Sequence, residues 1–172
     1  MRRALHFLFA VLFLAPPVLA QTNVGIATGL TVPVSELGRI DNIGYNVNGV
    51  LQSIAPLAAF GLRGDVSFNS LGRKATIQDI TERIISVTAG PMLHPTGFAT
   101  SYPYAIGAFG MYNVSTSPAP AGSRSATDLG VNFGAGYRFA IGPRRAFAEV
   151  RYHRVLAEGG PRYVPLTFGL LF

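Results

Sequence analysis

Arg162-Tyr163-Val164-Pro165-Leu166-Thr167-Phe168-Gly169-Leu170-Leu171-Phe172 is the stretch whose reading decides the fold. Its even-numbered positions are Arg, Val, Leu, Phe, Leu and Phe, and its odd-numbered ones are Tyr, Pro, Thr, Gly and Leu. One face is almost wholly apolar, while the other is small or mixed. A period of two means a β-strand, because successive side chains point to opposite faces. Chain ends of soluble proteins usually fray, yet this strand-like segment runs to a terminal aromatic. A closed barrel in a membrane accounts for that, since the last strand then pairs with the first and leaves no edge. A buried closing strand in a soluble barrel is the other reading.

Working back from this strand, the same alternation recurs seven times. Strands are expected at about 23–34, 44–54, 58–69, 80–92, 100–114, 128–140 and 145–156, with the eighth from 162. Strand six is the clearest. Asp128, Gly130, Asn132, Gly134, Gly136 and Arg138 alternate there with Leu129, Val131, Phe133, Ala135, Tyr137 and Phe139. Strand five alternates weakly, and its two faces are not assigned. Most of the strands are ten to thirteen residues long, whereas soluble strands average about five or six and tilted membrane strands need about nine to eleven. Connections at 35–43, 70–79 and 115–127 read as long loops, the last as the longest. Those after strands two and six are short. Long outer loops and short periplasmic turns give this rhythm.

Composition points the same way. The chain has 172 residues, 49% hydrophobic and only 13% charged, against about 25% charged in a soluble domain. It contains 20 Gly, 12 Pro, 12 Phe and 7 Tyr, which suits strands and turns better than helices. The absence of Cys excludes disulfides, a thiol nucleophile and a Cys-based zinc site. The net charge is +6, two units of it from Arg2 and Arg3. The other arginines are dispersed, so no nucleic-acid footprint is present. Lys74 is the only lysine, which gives no sign of a nucleotide-binding loop.

Residues 1–20 read as a secretory signal peptide: a positive start, an apolar core from Ala4 to Ala15, a break at Pro16-Pro17, and cleavage after Ala20. Twelve apolar residues are too few to span a bilayer as a helix. Residues 21–172 are then the barrel domain.

On strands six to eight the inferred outward faces carry no charge between their end zones. Arg63, Asp65, Glu82, Arg138, Glu149, Arg151 and His153 fall on the inferred inward faces, with opposite signs side by side. In a narrow eight-stranded barrel they would fill the lumen as a paired polar network. Tyr45, Phe68, Tyr102, Phe139, Tyr163 and Phe172 are candidates for aromatic girdles at the two membrane boundaries.

The end of the chain resembles the C-terminal assembly signal of the small outer-membrane β-barrel proteins of Gram-negative bacteria, the eight-stranded OmpA-like and OmpX-like group. The matching residues are Leu166, Phe168, Gly169, Leu170 and the terminal Phe172. Gly130 to Phe139 and Phe147 to Val155 resemble the penultimate strands of such domains. The resemblance implies an all-β, antiparallel, up-and-down transmembrane barrel of eight strands, located in the outer membrane. It implies recognition by the barrel assembly machinery, contact with lipid and lipopolysaccharide, a monomer and no cofactor. No appended peptidoglycan-binding domain is expected, since the sequence ends within the barrel's last strand. Surface interaction or adhesion through the loops is the expected role. Arg39, Arg73, Lys74 and Arg124 give those loops a basic bias suited to lipopolysaccharide phosphates.

Two alternatives stand beside this. Some barrels of this kind resemble lipid A-modifying enzymes that use a Ser and a His near the membrane boundary. Outside the leader only His94 and His153 are available, and no Ser partner is identifiable from sequence. Two His without Cys or a local carboxylate cluster do not make a metal site. The second alternative is a soluble lipocalin-like carrier of an apolar ligand, which needs a polar exterior and an apolar lumen.

Overall fold

The computed structural model describes residues 21–34, 42–55, 58–72, 81–97, 100–117 and 124–172. They form eight antiparallel strands: β1 (Gln21–Pro33), β2 (Gly44–Ile54), β3 (Phe60–Gly72), β4 (Thr81–Leu93), β5 (Tyr102–Ser117), β6 (Arg124–Ile141), β7 (Arg144–Val155) and β8 (Arg162–Leu171). Each strand pairs with its sequence neighbours, and β8 closes onto β1. The result is a closed all-β barrel. The leader at 1–20 and the loop residues Arg39, Arg73 and Lys74 lie outside the described residues.

The register fixes the strand tilt. One path crosses all eight ladders: Tyr102, Arg138, Phe147, Gly169, Ala27, Asn48, Ser67, Ser86, and back to β5 at Tyr112. It returns ten residues further along the strand it left. In an eight-stranded barrel such a stagger corresponds to a tilt of about 40°. All nine residues on the path face the lumen. Side chains far apart in sequence are therefore stacked into a narrow interior.

Two strands are longer than the alternation suggested. β5 has 16 residues and β6 has 18, so residues 115–117 and 124–127 belong to strands rather than to a long loop. The reason is a polar ladder that reads as loop by composition. Asn113 Nδ2 donates to Thr127 Oγ1 (2.8 Å), and Ser115 Oγ donates to Ser125 Oγ (3.2 Å). Arg124, expected in a loop, opens β6 opposite Thr116. At the other end the β6–β7 turn is only two residues. Gly142 supplies its positive φ of 57°, the conformation a two-residue hairpin needs.

Glycine also makes room inside the wall. Gly136 is paired with Tyr104, and Gly169 with Phe147. A Cβ at either glycine would overlap the partner's ring. Each large aromatic thus lies flat over a neighbour that has no side chain.

Candidate functional site

The outward face of the wall is apolar along its middle. Ile26 (63% exposed), Val66 (56%), Phe109 (70%) and Phe133 (60%) are typical of it. The inward face buries the charges instead. This distribution is the reverse of a lipocalin's.

The lumen is layered, and its centre is a ring of four ions. Arg63 on β3 donates to Asp65 through Nε (3.0 Å) and Nη2 (2.9 Å), and through Nη1 to Glu149 Oε2 (3.0 Å). Arg151 on β7 donates through Nε to Glu149 Oε1 (2.6 Å) and through Nη1 to Asp65 Oδ2 (3.0 Å). Two cations and two anions close a neutral cycle, each ion touching both of opposite sign. Tyr104 Oη adds a 2.7 Å bond to Glu149, and the Arg63 guanidinium lies 4.8 Å from the centre of the Phe147 ring. Contact with two opposite charges offsets the cost of burying each ion of the ring.

His153 joins this ring through two intermediates. Arg151 Nη1 donates to Asn132 Oδ1 (3.3 Å), Asn132 Nδ2 donates to Tyr112 Oη (3.1 Å), and that oxygen lies 3.1 Å from His153 Nδ1. The imidazole stacks on Tyr163 with ring centres 4.8 Å apart. It is buried inside the wall, and a tyrosine rather than a serine is its hydrogen-bonding neighbour. A second polar strip climbs the wall opposite β6. Thr31 Oγ1 donates to Asn69 Oδ1 (2.9 Å), Asn46 Nδ2 to Thr31 Oγ1 (3.2 Å), and Thr167 Oγ1 to Asn46 Oδ1 (3.3 Å). Ser67 and Ser86 meet at 2.6 Å.

Apolar plugs cap both ends of this layer. Ile54, Met92, Phe147 and Leu171 pack together at the short-turn end, and Leu71, Ile84, Tyr112, Val155 and Tyr163 at the long-loop end. The space left beside the ion ring is ≈ 20 Å³, room for about one water. The lumen is packed, not open.

Two of the seven residues expected in one interior network stand apart from the ring. Arg138 is buried near the short-turn end, its guanidinium 5.3 Å from the Tyr102 ring centre. Glu82 is buried near the start of β4, at the far end of the lumen. Both share the inward parity, but the stagger sets them at different levels. Two girdle candidates are also corrected. Tyr163 is fully buried in the lumen, and Tyr102 faces inward between His94 and Arg138. Tyr45 and Phe68 do meet on the outer face near the long-loop end, 6.1 Å apart. Phe139 packs on Phe168 at 6.1 Å, and Phe172 lies under Arg144 at 4.5 Å. Of the residues expected to form an assembly signal, Leu166, Phe168, Leu170 and Phe172 take the outward parity and Gly169 faces in. Among the described residues no three His, Asp or Glu side chains group to hold a metal ion.

An inverted, ion-filled eight-stranded cylinder with an apolar wall is a membrane architecture, and solved structures share it. The fold is that of the small outer-membrane barrels. Neisserial surface protein A superposes with a TM-score of 0.65 at 18% identity, covering 88% of this chain and 97% of that one. The attachment invasion locus protein Ail of Yersinia pestis, solved with the heparin analogue sucrose octasulfate, gives 0.59 at 19%, covering 90% and 100%. OprG of Pseudomonas aeruginosa gives 0.55 at 12%, covering 90% and 97%. No family model and no curated protein matches the sequence.

Proposed function

We propose that the protein is a non-enzymatic, monomeric barrel of the Gram-negative outer membrane. It holds its long loops at the cell surface for contact with lipopolysaccharide or with host or neighbouring surfaces. The observation that carries this reading is the inverted polarity, with charges sealed inside and large apolar side chains outside. Residues 1–20 act as the export signal, and Leu166, Phe168, Gly169, Leu170 and Phe172 as the signal read by the barrel assembly machinery. The packed lumen supports a structural or adhesive role over transport. Arg39, Arg73, Lys74 and Arg124 give the surface end a basic character suited to phosphate or sulfate groups.

The test is surface display. Epitope tags placed at 118–123 and at 142–143 should be accessible and inaccessible, respectively, on intact cells. Cells carrying the protein should bind lipopolysaccharide-coated or sulfated-glycan-coated surfaces more strongly than cells lacking it. Equal binding by both strains would remove the adhesive role.

A further inference from the structure

Two arginines on the outside of the wall belong to neither the lumen nor the loops. Arg154 on β7 and Arg162 on β8 are directly opposite in the ladder. Both take the outward parity. On the far side of Arg162 the Val34 N–H donates to its carbonyl (3.0 Å), and on the far side of Arg154 lies Val131. The outward row is therefore Val34, Arg162, Arg154, Val131, with two like charges in the middle.

Like charges facing each other across a ladder destabilise a sheet. The barrel avoids this elsewhere. In the lumen each cation of the ring touches two anions. At the short-turn rim Arg145 Nη1 donates to Gln21 Oε1 (3.1 Å), and Arg144 covers Phe172. Among the described residues the side chains of Arg154 and Arg162 have no hydrogen bond, ion pair or ring contact. Glu158, exposed in the connecting turn, pairs with neither.

Their level matters as much as their charge. Arg162 opens β8, and Arg154 is the last residue but one of β7, so both stand at the long-loop margin of the apolar wall. Below them the outward residues of the same strands are Val164, Leu166 and Phe168, and Tyr152, Val150 and Ala148. Lower on the same wall, beyond Val164 and Tyr152, lies a depression of ≈ 730 Å³ lined by Leu30, Leu166, Phe168, Val150, Ala148 and Ala135. A twin cationic head above an apolar trough fits one kind of molecule, an acyl-chain lipid with an anionic headgroup.

We propose that Arg154 and Arg162 form a site for a phosphate of a phosphorylated glycolipid in the outer leaflet, with an acyl chain of that lipid lying in the trough below. Guanidinium groups suit this because their fixed fork can bond phosphate oxygens in pairs. The site rests on the outer-membrane reading and extends it. It differs from the loop arginines in lying in the wall.

The experiment uses the full barrel folded in phosphatidylcholine nanodiscs, titrated with diphosphoryl lipid A and followed by native mass spectrometry. Arg154→Gln with Arg162→Gln should weaken lipid A binding about tenfold or more, as expected for lost charge-assisted bonds. Arg154→Lys with Arg162→Lys keeps the charge and should retain most of it. Arg83→Gln, outward on β4 away from the pair, should leave it unchanged. Enzymatically dephosphorylated lipid A should bind wild type as weakly as lipid A binds the Gln variant. Equal lipid A binding by wild type and the Gln variant would overturn the site. So would pyrophosphate binding as tightly as lipid A, which would make the trough irrelevant. Heat-modifiable gel mobility, read on every sample, reports the barrel separately. Failure of wild type to fold in lipid would refute the membrane reading itself.

Discussion

Arg63 and Glu149 are 86 positions apart in sequence and meet across the lumen at 3.0 Å. β3 and β7 are not neighbours in the sheet. The contact therefore bridges the interior rather than following a ladder. With Asp65 and Arg151 it ties two opposed parts of the cylinder together at mid-height.

Breaking the ring should cost more than removing it. Glu149→Ala leaves two arginines sharing one carboxylate, and loss of one partner of a buried ion pair costs about 3–5 kcal/mol. Replacing all four ions at once, by Arg63→Met, Asp65→Leu, Glu149→Leu and Arg151→Met, should leave stability much closer to wild type. Urea unfolding in detergent micelles, followed by gel mobility, measures both. A quadruple variant weaker than Glu149→Ala would mean that the ring contributes net attraction beyond its desolvation cost.

The glycine–aromatic pairs should behave as units. Gly169→Ala pushes a methyl group into the Phe147 ring, and overpacking of this kind costs about 1–3 kcal/mol. Adding Phe147→Leu should recover part of that loss, so the double-mutant cycle is non-additive. Additive effects would mean that the ring and the glycine are not in contact.

Which face meets lipid can be tested by a single charge. Val66→Arg places a guanidinium on the apolar outer wall, where the cost is about 2–4 kcal/mol near the midplane of the bilayer. Ser67→Ala, one residue on but facing inward beside Ser86, should cost about 1 kcal/mol, the worth of one hydrogen bond. Refolding yield and urea midpoint in lipid vesicles give the comparison. The opposite ranking would mean that the inner and outer faces are exchanged.

The upper apolar plug depends on Tyr163. Tyr163→Ala removes a fully buried ring that stacks on His153, with an expected loss of about 3–5 kcal/mol. Tyr45→Ala, on the outer face, should cost clearly less. Similar losses at the two positions would put Tyr163 at the membrane boundary instead.

That contrast marks where the sequence stops being informative. Strand count, closure and the inward side of β3, β4, β6 and β7 were legible because charged residues alternate there with apolar or small ones at period two. Tyr163 has the parity of Pro165, Thr167 and Gly169, yet a tyrosine suits a girdle and a plug equally well, so its chemistry misleads. Residues 115–127 are Ser, Thr, Pro, Ala, Gly and Arg, a loop composition, although seven of the thirteen pair in a ladder. The ring itself was only half visible. Arg63, Asp65, Glu149 and Arg151 share an inward parity with Arg138 and Glu82, and only the ten-residue stagger decides which of the six lie at one level. Arg154 and Arg162 carry no signal until β7 and β8 are placed in register.

The central claim is that this chain folds with its polar side inward because lipid is its solvent. The most direct measurement is refolding of residues 21–172 from denaturant with and without detergent micelles, read by far-ultraviolet circular dichroism and by unboiled against boiled gel mobility. The expected result is a sheet-rich, heat-modifiable species that forms only with micelles. A monomeric sheet protein, stable in plain buffer with unchanged mobility on boiling, would contradict the account.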